Sequence, residues 1–283
     1  MEQKKQISFF DKYLTLWVIL CMAIGIGIGE FIPSIPSFLN EFEYSNVSIP
    51  IAILIWLMIY PMMMKVDFKS VKKVRENPKG LYVTWVVNWL IKPFTMYAIA
   101  SLFFLVIFKT IIPVELAKDY LVGAVLLGAA PCTAMVFVWS HLTKGDPAYT
   151  VIQVATNDII ILFAFVPIVK ILLDLSNVSV PWSTLLLSVV LFVVVPLVLG
   201  IITRTTVIKK KGIEYFNNNF ITKFNNVTVL GLLLTLVIIF SFQGSVIIEN
   251  PLHIVLIGIP LTIKTFIIFF IAYGTAKYLK INH

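Results

Sequence analysis

The sequence predicts an all-α polytopic membrane protein of about eight transmembrane helices. Three observations predict it. Apolar side chains make up 59% of the 283 residues and charged ones 13%, with a mean hydropathy of +0.97. An ordinary soluble domain is about 45–50% apolar and about 25% charged. Apolar runs of about eighteen residues or more recur along the chain, the length that crosses about 30 Å of hydrocarbon as a helix. The basic residues between these runs are also distributed asymmetrically from loop to loop. A net charge of +8 would suggest a nucleic-acid partner in a soluble chain. Here the cations sit in short loops, where they set orientation instead, so lipid rather than nucleic acid is the expected partner.

Taken in order, the spans lie near residues 14–32, 48–64, 81–108, 120–141, 148–170, 182–203, 226–246 and 252–276. Of the 22 lysines and arginines, 17 fall in one alternating set of loops and three (Lys109, Lys118 and Lys170) in the other, while Lys92 and Lys264 lie inside spans. The positive-inside rule then places both termini in the cytoplasm of a multi-pass cell-membrane protein. The N-terminus is charged, then apolar, and has no small-x-small cleavage site, so the first span reads as retained. That span carries Gly25 and Gly29 at GxxxG spacing, which lets helices approach closely. Glu30 falls at its outer end. Met62, Met63 and Met64 follow Pro61 near the inner face and read as packing at the interface. Asp146 and Pro147 form an N-cap and first-turn pair that opens the fifth span.

The fourth and fifth spans carry the chemistry. The fourth contains Gly-Ala-Ala-Pro-Cys-Thr (residues 128–133) in mid-crossing, and the fifth contains Asn157-Asp158. Proline lacks a backbone donor and clashes with the preceding turn, so the helix opens at Pro131. Opened backbone at membrane depth survives only where it lines a protein cavity, and secondary transporters build substrate sites this way. The residue presented there is Cys132, a soft thiol ligand. At about 1.5 Å per residue, Lys92 lies roughly 17 Å and Asp158 roughly 15 Å from the inner face, and Cys132 roughly 18 Å from the outer one. All three meet near the midplane. A charge at that depth costs about 2.5–3.5 kcal/mol and marks function by default. Asp158 could line the pathway, carry a proton or balance Lys92. Lys92, with Asn88 one turn before it and Pro93 kinking the helix after it, could be that counter-charge or a pathway residue. Gln153 precedes Asn157 by one turn and shares its face. Cys21 and Cys132 form no zinc or disulfide pattern. His141 reads as interfacial, and His253 and His283 belong to no motif.

IKPFTMYAIA at 91–100 matches IKTFIIFFIA at 263–272 in five of ten positions, including the buried lysine, at an offset of 172. The two segments lie in the third and eighth spans, which cross in opposite senses. That is the pattern of an inverted five-helix repeat, here with a first half at about 14–170 and a second at about 182–283 within one transporter domain. The Cys132 break would recur near position 304, so the second half reads as incomplete at His283. Lys264 is left near the midplane with no second intramembrane carboxylate to pair with.

GAAPCTAMVFVW, followed after two residues by LTKGDPAYT and then by Gln153-Val154-Ala155 and Asn157-Asp158, closely resembles the arsenical-resistance arsenite permeases. These belong to the bile acid, arsenite and riboflavin transporter superfamily. NWLIKPF (88–94) and YPMMMKVDF (60–68) resemble two further motifs of that family. The resemblance covers essentially the whole chain. It implies a ten-helix, five-plus-five plan and proton-driven efflux of arsenite or antimonite without a cofactor. It also implies a second broken helix carrying a functional glutamate, for which these residues hold no counterpart. Cys132 becomes the transient ligand of trivalent arsenic or antimony, with Pro131, Thr133, Asn157 and Asp158 around the substrate and Asn88, Lys92 and Lys264 in the pathway or balancing charge. Neutral As(OH)3 exchanges hydroxide for sulfur and avoids the cost of carrying an ion through lipid. One thiol binds it weakly enough to release it, whereas three would trap it. Three other readings stay beside this one: a transport-inactive fragment, a homo-oligomer that completes itself by association, and an organic-anion transporter of the same superfamily. An intramembrane enzyme is disfavoured, since HExxH, GxSxG and paired catalytic aspartates are absent.

Overall fold

The structure is a computed structural model. It describes residues 13–44, 47–65, 78–131, 145–175 and 182–281, and the single positions 136, 140 and 143. Cys132, Thr133, His141 and His283 lie outside the described residues. The described chain is helical almost throughout, and each of the eight predicted spans meets a helix. Leu14–Phe31, Lys79–Ile107, Tyr149–Asp174 and Pro251–Tyr278 are each long and apolar enough to cross a membrane. The apolar stretch Leu185–Phe242 is longer than a single crossing. Large apolar side chains such as Leu16, Phe163, Phe266 and Phe270 face outward. In water such a surface drives association; in lipid it is solvated. The protein is an all-α, multi-pass membrane protein.

The chain divides into two compact units. The first comprises residues 1–65 and 194–251. Its elements are α1 (Leu14–Phe31), α2 (Ser34–Asn40), a two-residue antiparallel pairing of β1 (Glu43–Tyr44) with β2 (Val47–Ser48), and α3 (Ile49–Lys65). Later come α8 (Val195–Tyr215), α9 (Asn225–Phe242) and α10 (Gly244–Glu249). α1 stops at Phe31 because Ile32 precedes Pro33, a position proline drives out of helical space. The glycine spacing read in the first span performs a packing task. A Cβ on Gly25 would stand 2.6 Å from the Val237 carbonyl oxygen, and one on Gly29 would collide with the Ser241 carbonyl. Gly244 answers from the other side, with Gly29 Cα 3.0 Å from where its own Cβ would be. Backbone thus lies on backbone along the α1–α9 seam, as small residues permit in a bilayer.

Elsewhere in this unit Met64, Phe216 and Ile221 form a buried cluster, with Tyr60, Val207 and Phe220 against it. Arg204 donates to the Met64 carbonyl at 3.2 Å and lies 5.1 Å from the centre of the Phe216 ring. Tyr60 and Thr203 share a 2.6 Å hydroxyl bond. Met63 and Met64 are therefore buried core residues of this unit. The sixth predicted span ended at 203, yet α8 continues to Tyr215 and kinks at Gly212, whose φ is +83°. Hydropathy falls where Lys209–Lys211 begin, but the backbone stays helical until glycine permits the left-handed turn.

The second unit comprises residues 66–193 and 252–283. It holds α4 (Lys79–Ile107), α5 (Val114–Ala129), α6 (Pro147–Asp174), α7 (Trp182–Val189) and nearly all of α11 (Pro251–Tyr278). α4 is not uniform. It widens to π-helix at Val86–Ile91 and again at Leu102–Ile107. The first widening lies just before Pro93, whose ring would meet the carbonyl four residues back. In the widened turn the Lys92 N–H bonds the Val87 carbonyl, five residues earlier, instead. α6 opens as its sequence predicts: Asp146 Oδ1 accepts from the Tyr149 N–H at 3.3 Å, capping a helix whose first residue is Pro147.

Candidate functional site

α5 ends at Ala129, and Ala130 is extended (φ −89°, ψ 135°) immediately before Pro131. The mid-span break read from the proline is present in the described residues. A helix that ends there leaves its last carbonyls without intrahelical donors, in a medium with no water to replace them. The Lys92 Nζ of α4 donates to the Ala130 carbonyl. One turn beyond Lys92, Met96 packs on the last turn of α5. A Cβ on Gly128 would lie 2.5 Å from both Met96 Cβ and Cγ, so only glycine lets the two helices meet this closely. Gly128→Val should overpack this contact and cost about 1–3 kcal/mol, read as a lowered melting temperature of the purified protein in detergent. An unchanged melting temperature would mean that the two helices are free to separate.

α4 and α6 are joined by a ladder of side-chain hydrogen bonds. Gln153 Nε2 donates to Thr84 Oγ1 at 3.0 Å. The Trp85 indole donates to Thr156 Oγ1 at 3.2 Å. Asn157 Oδ1 accepts from the Trp89 indole at 2.9 Å and from Asn88 Nδ2 at 3.2 Å. Asn157 Nδ2 in turn donates to the Gln153 carbonyl at 2.8 Å. Every donor lies in a span, where an unmet N–H costs heavily. Thr84, Trp85, Asn88 and Trp89 recur at helical spacing on one face of α4. Gln153, Thr156 and Asn157 do the same on α6.

The structure thus brings together Asn88, Asn157 and, at the adjoining helix end, Lys92 and Pro131. Asn157 and Asp158 are 4% and 8% exposed, while Asn88 and Lys92 are half-buried. Asp158 makes no hydrogen bond or salt bridge among the described residues, where the only salt bridge is Lys170–Asp174 on α6. The direct Lys92–Asp158 pair that the sequence left open is not formed. Lys264 is 9% exposed within α11 and makes no hydrogen bond among the described residues. His253, which belongs to no sequence motif, bonds Tyr120 through Nδ1 at 2.9 Å.

Thr84, Trp85, Trp89 and Thr156 were missed from sequence. The available signal was indole N–H groups inside an apolar span, since buried tryptophans find acceptors. Below the ladder, a cleft of 480 Å³ opens among α4, α6 and α11, walled by Thr84, Thr150, Gln153 and Tyr273, with Asp146 the one charge of its described lining. Both partners of the Thr84–Gln153 bond, the first rung, belong to its wall.

Positions 52–250 match the model of the sodium bile acid symporter family. The whole chain is 62% identical to the arsenical-resistance protein Acr3 of Alkaliphilus metalliredigens, covering 79% of that protein. Over 98% of the chain it is 42% identical to an uncharacterized transporter of Synechocystis and 31% identical to the Acr3 protein of Corynebacterium glutamicum, covering 75% of each. The chain therefore belongs to the sodium bile acid symporter family and, within it, stands with the arsenical-resistance Acr3 proteins.

Proposed function

We propose that this protein exports trivalent arsenic, and antimony as its congener, across the cell membrane as a proton-coupled secondary transporter. The observation that carries the reading is an opened helix end directly before Cys132, in a chain 62% identical over its whole length to an arsenical-resistance protein. As(OH)3 is neutral at physiological pH and crosses the bilayer midplane without an ion's desolvation cost. At the break the Cys132 thiol displaces one hydroxide. A sulfur–arsenic bond forms, and the thiol proton leaves with the hydroxide as water. Return of water reverses the step on the far side. One thiol, rather than three, keeps the adduct reversible.

Asn157 is fixed by three hydrogen bonds and offers its remaining amide N–H to a hydroxyl of the cargo. Asp158, on the same helix and in the interior, is the carboxyl group available to hold a proton during the cycle. Basic loops support an orientation with both termini in the cytoplasm. The cleft below the ladder then opens on that side. The two compact units group the first and second predicted spans with the seventh, and the third to fifth with the eighth. That grouping supports an inverted repeat in which the two halves contribute equivalent helices to each unit.

The decisive experiment is arsenite accumulation in energised everted vesicles, comparing the protein with Cys132→Ser. We expect accumulation that collapses with the proton gradient and falls to background in the serine variant. Accumulation that survives Cys132→Ser, or transport of organic anions alone, would overturn the reading.

A further inference from the structure

We propose that Lys92 caps the opened end of α5 and so acts as a positioning residue for the Ala130–Pro131 break that precedes Cys132 in the chain, rather than as the counter-charge of Asp158. The proposal rests on the reading of Cys132 as the metalloid ligand. Its geometric basis is independent of that reading. Three observations carry it. The Lys92 ammonium donates to the carbonyl of Ala130, the first extended residue after α5. Asp158, one of whose open readings was to balance Lys92, makes no hydrogen bond or salt bridge among the described residues. The Gly128–Met96 contact holds the last turn of α5 against the same stretch of α4 that carries Lys92, so the ammonium and the helix end cannot drift apart.

The chemistry suits the task. The C-terminal end of a helix carries about half a negative charge, concentrated on its unpaired carbonyls. A proline at the break removes the N–H that would have met one of them. An ammonium supplies three donors and a full positive charge from a flexible stem. The ammonium thereby meets the Ala130 carbonyl and offsets the negative end of the helix dipole. The widened turn at Val86–Ile91 contributes as well, because it sets the rotation at which Lys92 leaves α4.

The test is alkylation of Cys132 by a maleimide in native membranes, on a Cys21→Ala background that leaves Cys132 as the single thiol of the two. Lys92→Met, Lys92→Arg and the double variant Lys92→Met with Asp158→Asn are compared, with arsenite uptake read in parallel. A cap predicts that Lys92→Met changes the alkylation rate by about threefold or more and lowers uptake by about tenfold or more. Lys92→Arg, which keeps charge and donors, restores both. Adding Asp158→Asn to Lys92→Met restores neither. Recovery in the double variant would identify a charge pair and overturn the proposal, as would wild-type alkylation in Lys92→Met. If Lys92→Met fails to insert, Lys92→Gln decides, since it keeps a donor without a charge. A cap retains the alkylation rate in that variant, and a counter-charge loses it. Alkylation requires no arsenite, so a protein that moved a different cargo would still give a clear answer about the cap.

Discussion

Asn157→Leu should abolish most transport and lower stability by about 2 kcal/mol, and the two effects have separable origins. Leucine keeps the branch point and the four side-chain heavy atoms of asparagine, so the shape is largely retained although its methyl groups are bulkier. What is lost is a set of three hydrogen bonds, from Trp89, from Asn88 and to the Gln153 carbonyl. Interhelical bonds in membranes average about 0.6 kcal/mol each, because the unfolded chain in lipid also finds partners. The two interhelical bonds give about 1.2 kcal/mol, and counting the bond within α6 at the same value brings the total to about 2 kcal/mol. Stranding two buried donors would cost about 1–3 kcal/mol apiece on the scale measured in water-soluble proteins, so the membrane value is the conservative one. Transport should suffer more than stability, because the proposed function gives Asn157 a contact with the cargo and the α4–α6 register loosens beside it. A misplacement of about 1 Å can cost about 10²-fold in rate. The measurement is arsenite uptake per inserted molecule together with the melting temperature in detergent. Asn157→Asp keeps the acceptor for Trp89 and Asn88 but loses the donor to Gln153, so it should fall between wild type and the leucine variant. Full activity in Asn157→Leu would remove Asn157 from the pathway.

Gly29→Leu should be the most destabilising change in the first unit. Its Cβ would collide with the Ser241 carbonyl and lie 3.1 Å from Gly244 Cα. Both obstacles are backbone, so neither can rotate away. Overpacking usually costs about 1–3 kcal/mol, and here relief requires α1 to part from α9 and α10, so the upper end of that range or beyond is expected. Gly27 supplies the internal control. It lies in the same helix and carries the same propensity change, but no atom beyond its own stretch of helix stands within 4 Å of its would-be Cβ. Gly27→Leu should therefore be neutral, or slightly stabilising through better helix propensity. Melting temperatures of the two variants side by side check this, and equal losses would mean that the seam is not held by close backbone approach.

These cases also show what the sequence could and could not deliver. The glycines of α1 and the proline of the break were legible because each removes something local, a side chain in one case and an N–H in the other. The spans were legible because hydropathy is a property of the segment itself. The partners of Asn157 were not. Trp85 and Trp89 sit in an apolar run where an indole reads as one more hydrophobe. Their role depends on which acceptors of α6 stand opposite them, which no spacing rule within α4 anticipates. Lys92 shows a different limit. Counting charges by depth sets it against Asp158, because both lie near the midplane. The acceptor it meets is the Ala130 carbonyl, and a charge count does not see backbone acceptors. The sixth span ran past its expected end because hydropathy reports where lipid stops, not where a helix does.

The ladder between α4 and α6 has a mechanical consequence. Four rungs are set at one register, and a slip of a single turn, about 5.4 Å, would part them all together with no solvent on hand to take up the broken pairs. Shear along that seam is therefore the dearest displacement open to either helix. Whatever stroke carries the cargo through the bilayer, α4 and α6 must ride it as one strut.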